Sequence, residues 1–104
     1  MEEQDWKLKL RYGKLKTPYK HFTVLGDGQV NDLIEGFECR KGSAYMGIKI
    51  WAESIDESAD VFSNIAEQIG FKITGNIEVF ESEPEQPPGK NPFGYDINFT
   101  PHNS

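Results

Sequence analysis

The segment Met46–Glu81 constrains this chain more than any other, because it spells a strand, a helix and a second strand with both helix ends marked. Ser54-Ile55-Asp56-Glu57 is a capping box: the Ser54 hydroxyl can accept from the amide three residues on while the Glu57 carboxylate reaches back. Ala59, Phe62, Ala66 and Ile69 then recur at three- and four-residue spacing, flanked by Val61 and Ile65, so one helical face is apolar. Gly70 stands where a left-handed stop belongs, with Phe71 placed for the hydrophobic contact that accompanies it. The spacing predicts a helix over residues 55–69. On either side, Met46–Trp51 and Phe71–Val79 alternate at period two, as half-buried strands do.

The remaining segments extend this α+β pattern. Trp6–Tyr12 alternates apolar and cationic residues and reads as a strand, and Lys20–Leu25, rich in aromatic and β-branched residues, reads as another. Gly26-Asp27-Gly28 reads as a hairpin turn, since it lacks the Lys-Ser or Lys-Thr of a phosphate loop and opens no helix. Gln29–Cys39 fits helical turns and short strands equally well. Phe71–Phe80 keeps one parity through Gly75, which predicts a single strand with a kink or bulge there. Residues 82–94 hold Pro84, Pro87, Pro88 and Pro92 and form a surface loop, Tyr95–Phe99 is the last strand, and 101–104 a tail. The expected architecture is a curved, mostly antiparallel sheet of five to six strands in βββ(β)αββ order, with the helix on one face and residues 1–104 in one domain. The expected core is Leu8, Leu10, Phe22, Ile48, Ile50, Phe62, Ile65, Ile69, Ile73, Val79, Ile97 and Phe99.

Charge and cysteine content narrow the chemistry. A net charge of −6 argues against non-specific nucleic-acid binding, because the summed field repels phosphate. The charge is unevenly spread: residues 6–25 carry six cations and no acid, whereas residues 51–104 carry ten acids against Lys72 and Lys90. One cysteine, Cys39, forms no internal disulfide, and with only His21 and His102 beside it no metal centre or cofactor is expected. The opening Met1-Glu2-Glu3-Gln4-Asp5 is acidic where a secretory leader is basic and then apolar, and no apolar run reaches membrane-span length. A cytoplasmic protein that meets no membrane is expected.

Catalytic residues do not stand out. Cys39 and His21 are the one nucleophile–base combination, and a free thiol usually just packs. Asp96 with Glu78 and Glu81 is the acid–base combination, weakened by how common carboxylates are here. The parity of the strands instead gathers Trp51, Phe80, Arg11, Lys49, Asp96 and Asn98, with Tyr19 and His21, on the sheet face away from the helix. Lys9 belongs there too, with Lys7 and Thr74 at the margin. Large aromatics framed by cations and amides suit a protein interface or a ligand pocket, unless the sheet curls and makes them a second small core. The function expected is a small acidic, non-enzymatic binding protein acting through a protein–protein surface. Inhibitor or immunity-type proteins and dimeric adaptors are concrete versions. The alternative is a small-molecule sensor or cofactor-free enzyme with its pocket on the same face.

Overall fold

The computed structural model describes residues 7–10, 12, 17–37 and 39–102. Four strands and one long helix follow one another as β1 (Lys20–Val30), β2 (Gly42–Ala52), α1 (Ile55–Ile69), β3 (Phe71–Glu81) and β4 (Phe93–Pro101). All pairings are antiparallel and the sheet order is β3-β1-β2-β4. The fold is therefore α+β with the helix on one face, and among the described residues the sheet has four strands rather than five or six.

The helix begins and ends where its signals stand. Ser54 Oγ accepts from the Glu57 amide at 3.1 Å, the Glu57 carboxylate accepts from the Glu53 amide at 2.6 Å, and Gly70 stops the helix at φ 99°. A cap of this kind contributes about 1 kcal/mol. Phe62, Ala66 and Ile69 are buried against Phe22, Val24, Met46, Ile48 and Ile50 of the two central strands. Ser58, one turn into the helix, is also buried, and its hydroxyl is satisfied by donating to the Ile55 carbonyl at 2.7 Å.

Two expectations about the first third of the chain are corrected. Residues 7–10 are helical, with the Tyr12 amide donating to the Leu8 carbonyl at 3.0 Å, so over the described residues the alternation does not make a strand. Lys and Leu are strong helix formers and residues 7–10 contain no β-branched side chain, so local propensity overrides the short period-two pattern. Leu8 is 48% exposed and Leu10 joins no core cluster; Trp6 lies outside the described residues.

The second correction concerns Gly26-Asp27-Gly28, which is not a turn: β1 runs straight through it for 11 residues. Both glycines face the helix. A Cβ on Gly26 would stand 2.5 Å from the Phe62 ring, and one on Gly28 would collide with the Lys72 backbone carbonyl and stand 2.8 Å from the Phe71 ring. The glycines let a ring, and at Gly28 also the backbone of β3, come close to β1, which is the other meaning of glycine in a strand. Val24, Val30, Ala44, Met46, Ala52, Ala66 and Phe71 also belong to the core, while Ile65, Ile73, Val79, Ile97 and Phe99 pack partly buried at its rim.

Of the ambiguous segment Gln29–Cys39, Gln29 and Val30 end β1, and the described residues that follow form a connection rather than an element. It folds over the end of α1, with the Ile34 amide on the Ile69 carbonyl, and packs Leu33, Phe37 and Cys39 against the core. Each edge strand carries one irregularity. β3 spends Ile73–Ile77 opposite Gly28–Gly26, which is the bulge expected at Gly75. β4 inserts a residue between Tyr95 and Asn98, where Asp96 takes φ 58°, a backbone region that Asp tolerates better than most.

Topology dictates what lies on the second face. β3 and β4 are opposite edges, so their connection must cross two central strands, and α1 already occupies the inner side. Residues 82–92 therefore run across the outer face as a strap. Among the described residues no helix is long and apolar enough to cross a membrane.

Candidate functional site

Register and parity set out the outer face in rows. His21, Trp51 and Phe93 form the first row; Phe80, Thr23, Lys49 and Tyr95 the second; Glu78, Leu25, Gly47 and Asn98 the third; and Asp27, Tyr45 and Thr100 the fourth. The strap covers the upper end and leaves the third and fourth rows bare.

Beneath the strap, aromatic side chains hold its backbone. Trp51, only 3% exposed, donates Nε1–H to the Gln86 carbonyl at 2.9 Å. The Tyr95 hydroxyl receives the Glu85 amide at 2.8 Å and the Gln86 amide at 3.3 Å. Tyr19, just ahead of β1, donates its hydroxyl to the Lys90 carbonyl at 3.0 Å. Lys49 binds Glu85 at 2.7 Å and Asp96 at 2.9 Å, and these two carboxylates, Glu85 first, hold its ammonium above the ordinary lysine range.

His21 lies at the centre of this layer. Its Nε2 is 2.7 Å from the Tyr95 hydroxyl, and its Nδ1 is 3.1 Å from the Ser82 carbonyl and 3.0 Å from Ser82 Oγ. A carbonyl only accepts, so Nδ1 carries the proton; the Tyr95 oxygen already receives two amides, so its own hydrogen goes to Nε2. The network is complete for a neutral imidazole. Burial is the main reason that the ring is held below the ordinary histidine range, opposed by the Ser82 carbonyl and by Glu85 and Glu83, and reinforced by Lys49.

This arrangement limits the chemistry. Ser82 and His21 are close enough to resemble a nucleophile and its base, but the nitrogen facing Ser82 is the protonated one and cannot take a hydroxyl proton. Cys39 packs against the helix-side core while His21 lies on the outer face, so the two do not meet. Asp96 is on the opposite edge strand from Glu78 and Glu81, with two strands between them, and pairs with Lys49 instead. Among the described residues no three His, Cys, Asp or Glu side chains are grouped to hold a metal ion.

The structure gathers Trp51, Lys49, His21, Phe80, Asp96 and Asn98 on one face, with Tyr19 at its margin. Lys7 and Lys9 are in the helical stretch rather than in the sheet, and Arg11 lies outside the described residues. Trp51 was expected as a surface anchor; it is covered instead, because the strap crosses over it. His102, read as part of a loose tail, is tied down by Asp27 at 3.0 Å and by the Ser43 carbonyl.

On the bare half of the face, sequence reading names Asn98 and Glu78 but not Leu25, Asp27 or Tyr45. Leu25, Asp27, Tyr45, Asn76, Glu78 and Thr100 line a cleft of about 360 Å³ there; Tyr45 is 45% exposed, and Phe80, one row above on the β3 edge, is 47% exposed. The parity that selects Lys49 and Trp51 also selects Tyr45, and that of Phe80 selects Glu78. Asp27 is hidden when Gly26-Asp27-Gly28 is read as a turn. Comparison with known protein families, with characterised proteins and with solved structures finds no match to this chain.

Proposed function

We propose that this chain is a non-catalytic binding protein that receives a basic segment of a partner protein on the bare half of its outer sheet face. The observation that carries this reading is the pairing of two half-exposed aromatics, Phe80 and Tyr45, with a cleft whose charged lining residues, Asp27 and Glu78, are both acidic. Exposed aromatic side chains offer large contact area at low entropic cost, which is why they dominate binding energy at interfaces. Lys49 on that face is already held by Glu85 and Asp96, and His102 already engages Asp27 at 3.0 Å, so Glu78 is the carboxylate that the cleft offers to a cation. A cationic side chain would find the Glu78 carboxylate, the Tyr45 ring and the apolar floor of Leu25 together, and the net charge of −6 would speed its approach. The volume, about 360 Å³, is near the low end for small-molecule sites and suits one side chain of a larger partner.

Selection of a random displayed peptide library on the immobilised protein tests this. Arg or Lys next to an aliphatic or aromatic residue should be enriched. Binding of the selected peptides should fall at least ~10-fold with Phe80→Ala or Glu78→Lys and stay unchanged with Asn64→Ala on the helix. Peptides without cationic enrichment, or insensitive to Phe80 and Glu78, would overturn the proposal.

A further inference from the structure

The strap is held by hydrogen bonds whose donors and acceptors balance only while His21 is neutral. Tyr95 is the hinge of that balance. Its oxygen receives the Glu85 and Gln86 amides, and its hydrogen is given to His21 Nε2. A second proton on the imidazole places an N–H at Nε2 facing the same oxygen. Three donors then converge on a phenol with two lone pairs, and the phenol's own hydrogen loses its acceptor. At least one strap amide has to let go. The ring is 5% exposed, so the charge would be desolvated as well.

We propose that the strap is a proton-operated latch, in which protonation of His21 releases residues 82–92 from the outer sheet face and uncovers Trp51. The charged groups around the ring act in both directions. From β2, Lys49 opposes a positive imidazole; from the strap, Glu85 and Glu83 favour one. Glu85 is itself engaged by Lys49 at 2.7 Å, which weakens its pull on His21. From β4, Tyr95 contributes its hydroxyl, and Trp51 stands edge-on to the ring with centroids 5.1 Å apart. The sign follows from proton counting. The latched form binds fewer protons at His21 than the open form, so latching is complete well above about pH 6.5 and weakens as pH falls below it. The device is independent of whether the bare half of the face takes a partner.

Its test is nuclear magnetic resonance on the full chain from about pH 8 to about pH 5, following the His21 ring together with the exchange protection of the Glu85 and Gln86 amides. Protection, corrected for intrinsic exchange, should fall about tenfold or more in step with His21 protonation, while the Ile48 amide in the core keeps its own. In a Trp6→Phe background, Trp51 emission should shift to the red over the same interval. His21→Gln should remove the pH dependence, and Tyr95→Phe should free both amides even at high pH. The latch is refuted if His21 protonates with both amides still protected, if it stays neutral over the whole interval, or if His21→Gln leaves the pH dependence intact. The wild-type titration decides the matter even where a variant folds poorly.

Discussion

The two faces of this sheet are covered by opposite means. On the inner face, α1 lays Phe62, Ala66 and Ile69 onto Phe22, Val24, Met46, Ile48 and Ile50, and contact is made by shape. On the outer face, a proline-rich strap is held by side chains that bond its backbone: Trp51 to Gln86, Tyr95 to Glu85 and Gln86, Tyr19 to Lys90. Apolar cover is non-directional and spread over many atoms, so it gives way only with the whole fold. Polar cover rests on a few groups of fixed stoichiometry, so changing one proton or one hydroxyl can release it locally. The strap is thus the part of the molecule built to move without unfolding it.

Substitutions on the two faces would break or sharpen that contrast. Phe62→Ala should cost about 3–5 kcal/mol in denaturant unfolding, because it empties the space that Gly26 is kept bare to admit. Trp51→Ala should cost somewhat less, about 3 kcal/mol, and should also raise exchange at the Gln86 amide region, since the ring fills the gap beneath the strap. Tyr19→Phe removes an exposed hydrogen bond at the strap's far end and should cost only about 0.5 kcal/mol, read from the unfolding midpoint. If Trp51→Ala matches Phe62→Ala and unfolds in one transition with unchanged local exchange, the outer layer is simply a second core and the contrast fails.

How much of this was legible in the sequence follows the same division. The helix from its cap at Ser54 to Gly70, the inward set of β2 and the bulge at Gly75 depend on local periodicity and on capping chemistry, and all are where the pattern puts them. Residues 7–10 and Gly26-Asp27-Gly28 were misleading because their signals have two meanings: alternation in a stretch of helix formers, and glycine as a turn or as clearance for a ring. Parity also placed Lys49, His21, Trp51, Phe80, Asp96 and Asn98 on one face. It could not show that Trp51 is covered, since that depends on strand order: only with β3 and β4 at opposite edges must residues 82–92 cross the sheet.

The two bulges carry a consequence for crowded solutions. An open sheet ends in two ribbons of unpaired amides and carbonyls, and long flat ribbons recruit further chains into fibrous stacks. Here each ribbon is cut short. On β3 the register breaks between Ile73 and Ile77, and on β4 the left-handed turn of Asp96 interrupts the run between Tyr95 and Asn98, with Pro92 and Pro101 at its two ends. An incoming strand meets only short stretches of regular backbone before losing register. The kinks that serve the local fit of Asp27 and Lys49 also deny this small sheet a template along which to grow.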